Sequence, residues 1–283
     1  MSNKFGPVVA GKFYPGKKES LLKRIGACYT DGHGPGEAPD PVDRDLDGDL
    51  GIIAPHAGYK FSGPVAAHAY GWLARHGRPA AVVILGTNHT GFGPGAAIAT
   101  EGSWATPLGD VPIDEELARS IFEESDELRN RTAAFSREHS IEVQLPFLQH
   151  LWGFWKGALS FVPICLKDQS RSVAEDVGKA LEEATPRGTL VVASTDFSHY
   201  ESQEVAVEKD GMAIESIVEG DLEGLYGNIS EHDISICGYG AVASLMTFAY
   251  IRGLDPEELK YATSGDVSGF GEEVVGYSAI GFE

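Results

Sequence analysis

The chain has 283 residues, with 22 lysines and arginines against 42 aspartates and glutamates, a formal net charge of −20. Hydrophobic residues make up 42% and charged residues 23%, which argues against disorder and collagen-like repetition and suits a chain with a sizeable core. An acidic surface repels a phosphate backbone, so nucleic acid is not expected as a partner. No apolar run reaches the roughly 18 residues of a membrane span, so no membrane association is expected either. Residues 1–15 lack the apolar stretch of a secretory signal. Three cysteines (Cys28, Cys165 and Cys237) form no CxxC pair and argue against a disulfide framework. A cytoplasmic protein is expected.

The hydrophobic spacing predicts, in chain order, a helix over 18–27 and a Gly-, Pro- and Asp-rich surface loop over 31–49. A strand over 50–54 and a helix over 64–76 follow, then strands over 80–85 and 96–100. Helices over 114–123 and 138–151 precede a strand over 159–165 and a helix over 170–184. A strand over 189–193, helices over 203–219 and 241–252, and a strand over 274–282 complete the chain. Runs such as Ala81-Val82-Val83-Ile84-Leu85 lack polar alternation and read as central strands covered on both faces. Strand–helix alternation implies an α/β layered fold, whose functional site lies outside the carboxyl ends of the strands.

Three strand ends carry a similar signature. The strand ending at Ala54 runs into Pro55-His56-Ala57-Gly58-Tyr59, and that ending at Leu85 into Gly86-Thr87-Asn88-His89. The strand ending at Ala193 runs into Ser194-Thr195-Asp196-Phe197-Ser198-His199. Imidazole is the commonest metal ligand and the usual acid/base group near neutral pH. One such histidine is ordinarily a hydrogen-bonded turn residue; three on the strand ends of one sheet point to a shared site. His33, His68, His76, His150 and His232 lie in loops, helices or polar turns and are expected to be structural. His139 and Glu142 stand three apart in Arg137-Glu138-His139-Ser140-Ile141-Glu142, which opens a predicted helix with Ser136 as its cap. They line the site or form a structural network at the helix start. Cys237 precedes a helix, a position that favours the thiolate; the alternative is a small buried hydrophobe. There is no Gly-x-Ser-x-Gly elbow, P-loop or His-Glu-x-x-His motif.

These segments together resemble the MEMO family, the B component of the AmmeMemoRadiSam grouping. The matching pieces are Ala10-Gly11-Lys12-Phe13-Tyr14-Pro15, Pro55-His56-Ala57-Gly58-Tyr59, Leu85-Gly86-Thr87-Asn88-His89, Glu138-His139-Ser140-Ile141-Glu142, the stretch from Ser194 to Tyr200, and Ile236-Cys237-Gly238. They span nearly the whole chain, so residues 1–283 are expected to form one domain. The resemblance implies a fold similar to the class III extradiol dioxygenases, with a central mixed, largely parallel sheet flanked by helices. It implies His56, His89 and Cys237 as metal ligands, Asp196 and His199 in the same pocket, and His199 placed as the acid/base. Iron or copper is the implied metal. The dioxygenases use a carboxylate where Cys237 stands. A thiolate is softer, favours Cu(I) or zinc, and weakens the case for ring cleavage.

The leading expectation is a metal-dependent redox enzyme acting on an unknown small molecule or peptide, in which Asp196 orients His199 to move a proton. His139, Glu142 and Tyr59 would form the surrounding pocket. A non-enzymatic ligand-binding module is the alternative, contacting its ligand through Tyr59, Phe92 and Trp104 if these are exposed. A zinc or thiol hydrolase using Cys237 and His199 ranks third. The family grouping also implies functional association with a radical SAM protein.

Overall fold

The computed structural model describes residues 3–153 and 159–283. In chain order the elements are β1 (Lys4–Phe5), α1 (Lys18–Thr30), β2 (Leu50–Ala54), α2 (Gly63–Leu73), β3 (Ala81–Thr87), β4 (Ala96–Ile98), β5 (Ser103–Thr106), β6 (Gly109–Pro112), α3 (Glu115–Glu124) and β7 (Leu128–Asn130). There follow α4 (Leu145–Trp152), β8 (Val162–Leu166), α5 (Arg171–Ala184), β9 (Thr189–Ser194), β10 (His199–Glu201), α6 (Gln203–Val218), α7 (Leu222–His232), α8 (Tyr239–Arg252), β11 (Pro256–Thr263), α9 (Ser264–Ser268) and β12 (Val274–Phe282).

The architecture is mixed α/β, as the alternation implies. The large sheet runs β10-β12-β2-β9-β3-β8-β4-β7, with β11 paired to β12, and β1, β5 and β6 form a separate small sheet. The pairs β2–β9, β9–β3 and β3–β8 are parallel, whereas β12–β2 and β8–β4 are antiparallel. Every residue of β2, β3, β8 and β9 is buried, which explains their unbroken apolar runs. A Cβ on Gly51 would meet Leu245 of α8 at 2.5 Å, and one on Gly281 would meet Trp72 of α2 at 2.9 Å. Gly281 pairs with Ile52, the neighbour of Gly51. Successive strand residues point to opposite faces, so α2 and α8 cover opposite faces of the sheet.

Register brings the strand ends level. Ala54 pairs with Ser194, and Ala193 pairs with both Ile53 and Leu85. The chain therefore leaves β2, β9 and β3 along one edge, where His56, Asp196 and His89 follow within two residues.

Several expectations shift. Segment 31–49 holds only turns, bends and one isolated bridge, as its composition implies. The helix expected over 138–151 begins only at Leu145, after a short 3-10 turn over Glu142–Gln144. The reason is local: the backbone N–H groups of His139 and Ser140 donate to Glu138 Oε1 (2.8 Å each), and Ser140 Oγ accepts from Thr87 N (3.0 Å). Side chains claim the groups that a helical turn would use. The helix α7 and strand β11 carry too many exposed polar residues to announce themselves in the hydrophobic pattern.

Candidate metal centre

The loop after β2 delivers His56, which is buried at 2% exposure. Its backbone N–H donates to Asp196 Oδ1 (2.8 Å), and Ala57 N donates to the same oxygen (3.3 Å). The ring places Nδ1 3.0 Å from Ser194 Oγ and Nε2 3.3 Å from Cys237 Sγ. Asp196 Oδ2 lies 4.0 Å from His56 Nε2. Burial pushes the His56 pKa well below its ordinary value, and the neighbouring His139, His89 and His199 push the same way.

The loop after β3 delivers His89. Asn88 builds the turn: its Oδ1 accepts from Thr90 Oγ1 and Gly91 N, and its Nδ2 donates to Phe92 O. Glu138 then fixes His89 twice, accepting from its backbone N (2.8 Å, Oε2) and holding its Nδ1 (3.0 Å, Oε1). A carboxylate of this kind orients a ligating imidazole and raises its basicity. The same Oε1 lies 3.5 Å from His139 Nδ1. Burial alone would raise the Glu138 pKa, but the hydrogen bond and charge of His89, the Ser140 N–H and His139 outweigh it and carry Glu138 down to about 2. Gly86 permits this packing, because a Cβ there would meet Ser140 Oγ at 2.5 Å.

The ring centroids of His56, His89 and His139 lie 4.8–5.4 Å apart. One ligand nitrogen from each falls within 4.8 Å of the other two, and among the described residues this is the group of three or more able to hold one ion. Burial lowers the His139 pKa, Glu138 opposes that, and His89 adds to it. Imidazoles held neutral offer lone pairs, which suits a transition metal. The sequence alone places His139 only in the surroundings of the site and assigns no role to its neighbour Glu138, although an acid beside a candidate histidine is the available signal.

Cys237 stands just ahead of α8, beside His56 rather than within the triple-histidine group. Its Sγ accepts from Asp196 N (3.2 Å), and Gly238 N donates to Thr195 Oγ1 (2.9 Å). A Cβ on Gly238 would meet Thr87 Oγ1 at 2.7 Å and Ser194 O at 2.9 Å, so the approach of α8 to the strand ends requires glycine. The favoured thiolate expected at a helix start is overturned. Burial, reinforced by the charge of Asp196, pushes the Cys237 thiol well above its ordinary value.

Asp196 is buried, and burial raises its pKa to about 6 against the hydrogen bonds from His56 N and Ala57 N and the charge of His199. It does not orient His199 as expected, because its Oδ1 serves the His56 loop. The His199 ring is held by Ser235, whose carbonyl lies 3.0 Å from Nδ1, and Ser235 Oγ accepts from His199 N (2.8 Å). A carbonyl only accepts, so Nδ1 carries a proton. Tyr200 follows in the left-handed region (φ 60°) with 78% exposure, a strained turn next to His199.

Two expected pocket residues serve the framework instead. Glu142 accepts from Val8 N (2.6 Å), Val9 N (3.1 Å) and Tyr14 Oη (2.5 Å), tying the N-terminal segment to the loop that carries His139. Tyr59 is buried, donates to Val143 O (2.6 Å) and packs on Tyr14 and Phe147. Trp104 is fully buried against Phe5, Phe135 and Phe161, so neither it nor Tyr59 is an exposed ligand contact; Phe92 is 55% exposed. Of the histidines expected to be structural, His68 contacts His33 O, and His76 contacts Trp72 O and Glu283.

Residues 6–281 match a protein-family profile described as "Memo-like protein". A "MEMO1 family protein" of Thermotoga neapolitana is 48% identical over 280 residues, covering 97% of this chain and 98% of that protein. Another from Thermotoga maritima is 46% identical over 282 residues (98% and 99%), and one from Methanopyrus kandleri 45% over 280 residues (98% of each). Among the described residues no helix is long and apolar enough to cross a membrane.

Proposed function

This chain belongs to the Memo-like protein family, and from that premise we propose that it binds a single redox-active transition metal between His56 and His89 and acts as a metal-dependent oxidoreductase on a small molecule or peptide. The carrying observation is the convergence of ligand nitrogens from His56, His89 and His139 within 4.8 Å of one another. Iron or copper there would supply one-electron chemistry at coordination positions left open to substrate.

The protein's own groups have separable tasks. Glu138 locks His89 through Nδ1 and leaves Nε2 for the ion. His199, with Nδ1 committed to Ser235 O, accepts a proton at Nε2 from a bound substrate. Asp196 fixes the His56 loop through two backbone N–H groups.

Two readings of the third ligand rest on different support. The family resemblance favours Cys237, whose sulfur lies 3.3 Å from His56 Nε2. The geometry favours His139. The Cys237 thiol would have to shed its proton on metal binding, which makes affinity more pH-dependent. Anaerobic purification followed by elemental analysis is expected to find about one iron or copper per chain, and the double variant His56→Ala/His89→Ala to contain none. Wild-type protein that takes up no Fe(II), Cu(I) or Zn(II) after reconstitution would end the proposal. Loss of metal in His139→Ala but not Cys237→Ser supports the triple-imidazole set, and the reverse supports the thiolate set.

A further inference from the structure

We infer that Tyr70, Gln144 and Ser194 form a hydrogen-bond network of fixed direction that places the proton of His56 on Nδ1, making them positioning residues for the Nε2 lone pair. The direction follows from counting donors and acceptors. Gln144 Nε2 lies 3.3 Å from Ala54 O, 3.1 Å from Pro55 O and 2.7 Å from Ser194 Oγ. Two of these partners are carbonyls, which only accept, so the NH2 of the amide must face them, with one hydrogen shared between the two carbonyls and the other directed to Ser194 Oγ. Its Oε1 therefore faces Tyr70 Oη, which donates to it at 2.7 Å. Ser194 Oγ has one hydrogen and spends it on Ser140 O, another carbonyl, at 2.7 Å. One lone pair of Ser194 accepts from Gln144, so only an acceptor site remains for His56 Nδ1 at 3.0 Å, and Nδ1 must donate.

The network opposes a local pull. Asp196 Oδ2, 4.0 Å from His56 Nε2, draws the ring proton to the pocket side, and that tautomer would leave no lone pair on Nε2. Gln144, Ser194 and Tyr70 are fully buried and no solvent competes for their bonds. The tautomer is a property of the metal-free protein. Only its value for metal affinity rests on the function proposed above.

Long-range 1H–15N correlation spectra of 15N-labelled, metal-free protein read the tautomer directly. The wild type is expected to show protonated Nδ1 and unprotonated Nε2 at His56. Ser194→Ala should transfer the proton to Nε2 or mix the two forms, and should weaken binding of Zn(II), used as the probe, about 10- to 100-fold. Ser194→Thr keeps the hydroxyl and should restore both readouts. Gln144→Met, which frees the serine hydroxyl to turn, should give a smaller admixture of the Nε2 form and serves if Ser194→Ala does not fold. Protonated Nε2 in the wild type, or an unchanged spectrum in folded Ser194→Ala and Gln144→Met, overturns the inference. A wild type with the expected tautomer that binds no Zn(II), Fe(II) or Cu(I) sinks the metal reading and leaves the network standing.

Discussion

The two ends of the central strands handle charge in opposite ways. At the amino end the loop before β2 meets cations: Asp45 with Arg78 (3.1 Å), Asp47 with Arg187 (3.0 Å) and Asp49 with Arg252 (3.0 Å), which also pairs with Glu182 (3.3 Å). At the carboxyl end, among the described residues, the ion pairs of Glu138 and Asp196 are with histidines alone, and their remaining partners are backbone N–H groups. The amino end also carries a cavity of about 620 Å³ lined by Asp47, Asp49, Arg187, Arg252 and Glu283. Paired charges leave little to recruit, whereas the buried carboxylates of the carboxyl end face imidazoles grouped closely enough to hold an ion.

The contrast is broken hardest at Glu138. Glu138→Ala orphans the N–H groups of His89, His139 and Ser140 and frees the His89 ring. Chemical denaturation should show a loss of about 3 kcal/mol or more, and metal titration a weakening of at least 10-fold. Next comes Gly238→Ala, which forces a methyl group against Thr87 and Ser194 O; a loss of about 1–3 kcal/mol is expected, measured the same way.

Acidity sharpens the comparison, because the two buried acids respond with opposite signs. Glu138, held at about 2, contributes stability that is present above its ordinary value near 4.3 and is lost as pH falls toward 2. Asp196, raised to about 6, binds its proton more tightly in the folded protein, so its contribution falls as pH rises from about 4 to 6. In metal-free protein, denaturation from pH 4 to 7 should show wild-type stability declining relative to Asp196→Asn across that window. A flat difference would remove the raised value. The amino end supplies the control: Arg187→Ala, which removes a pair 76% and 92% exposed, should change stability by no more than about 0.5 kcal/mol.

The strand-end rule was enough to find His56 and His89 from sequence, because apolar runs followed by Gly, Asn and His are local signals. The α/β layering was legible for the same reason. The helix expected from Glu138 failed because Glu138 and Ser140 turn their side chains on the backbone and on β3, a tertiary decision that periodicity does not carry. His199 was placed at the pocket, but its orienting group, Ser235, lies 36 residues further along. Cys237 looked activated by its helix; burial beside Asp196 reverses that, and burial is a property of the assembled sheet. Gln144 and Ser194 were invisible because polar residues inside a helix start and at a strand end acquire meaning only from the carbonyls packed around them.

The distances along the chain have a temporal consequence. His56 and Cys237 are separated by 181 residues and His89 and Glu138 by 49, and parallel strands must dock before any of them meet. A nascent or denatured chain thus offers an ion scattered imidazoles and no cage, and loading of the proposed ion would be confined to the last stages of folding. Occupancy would then act as a brake on the reverse journey, slowing escape from the native state more than it hastens arrival.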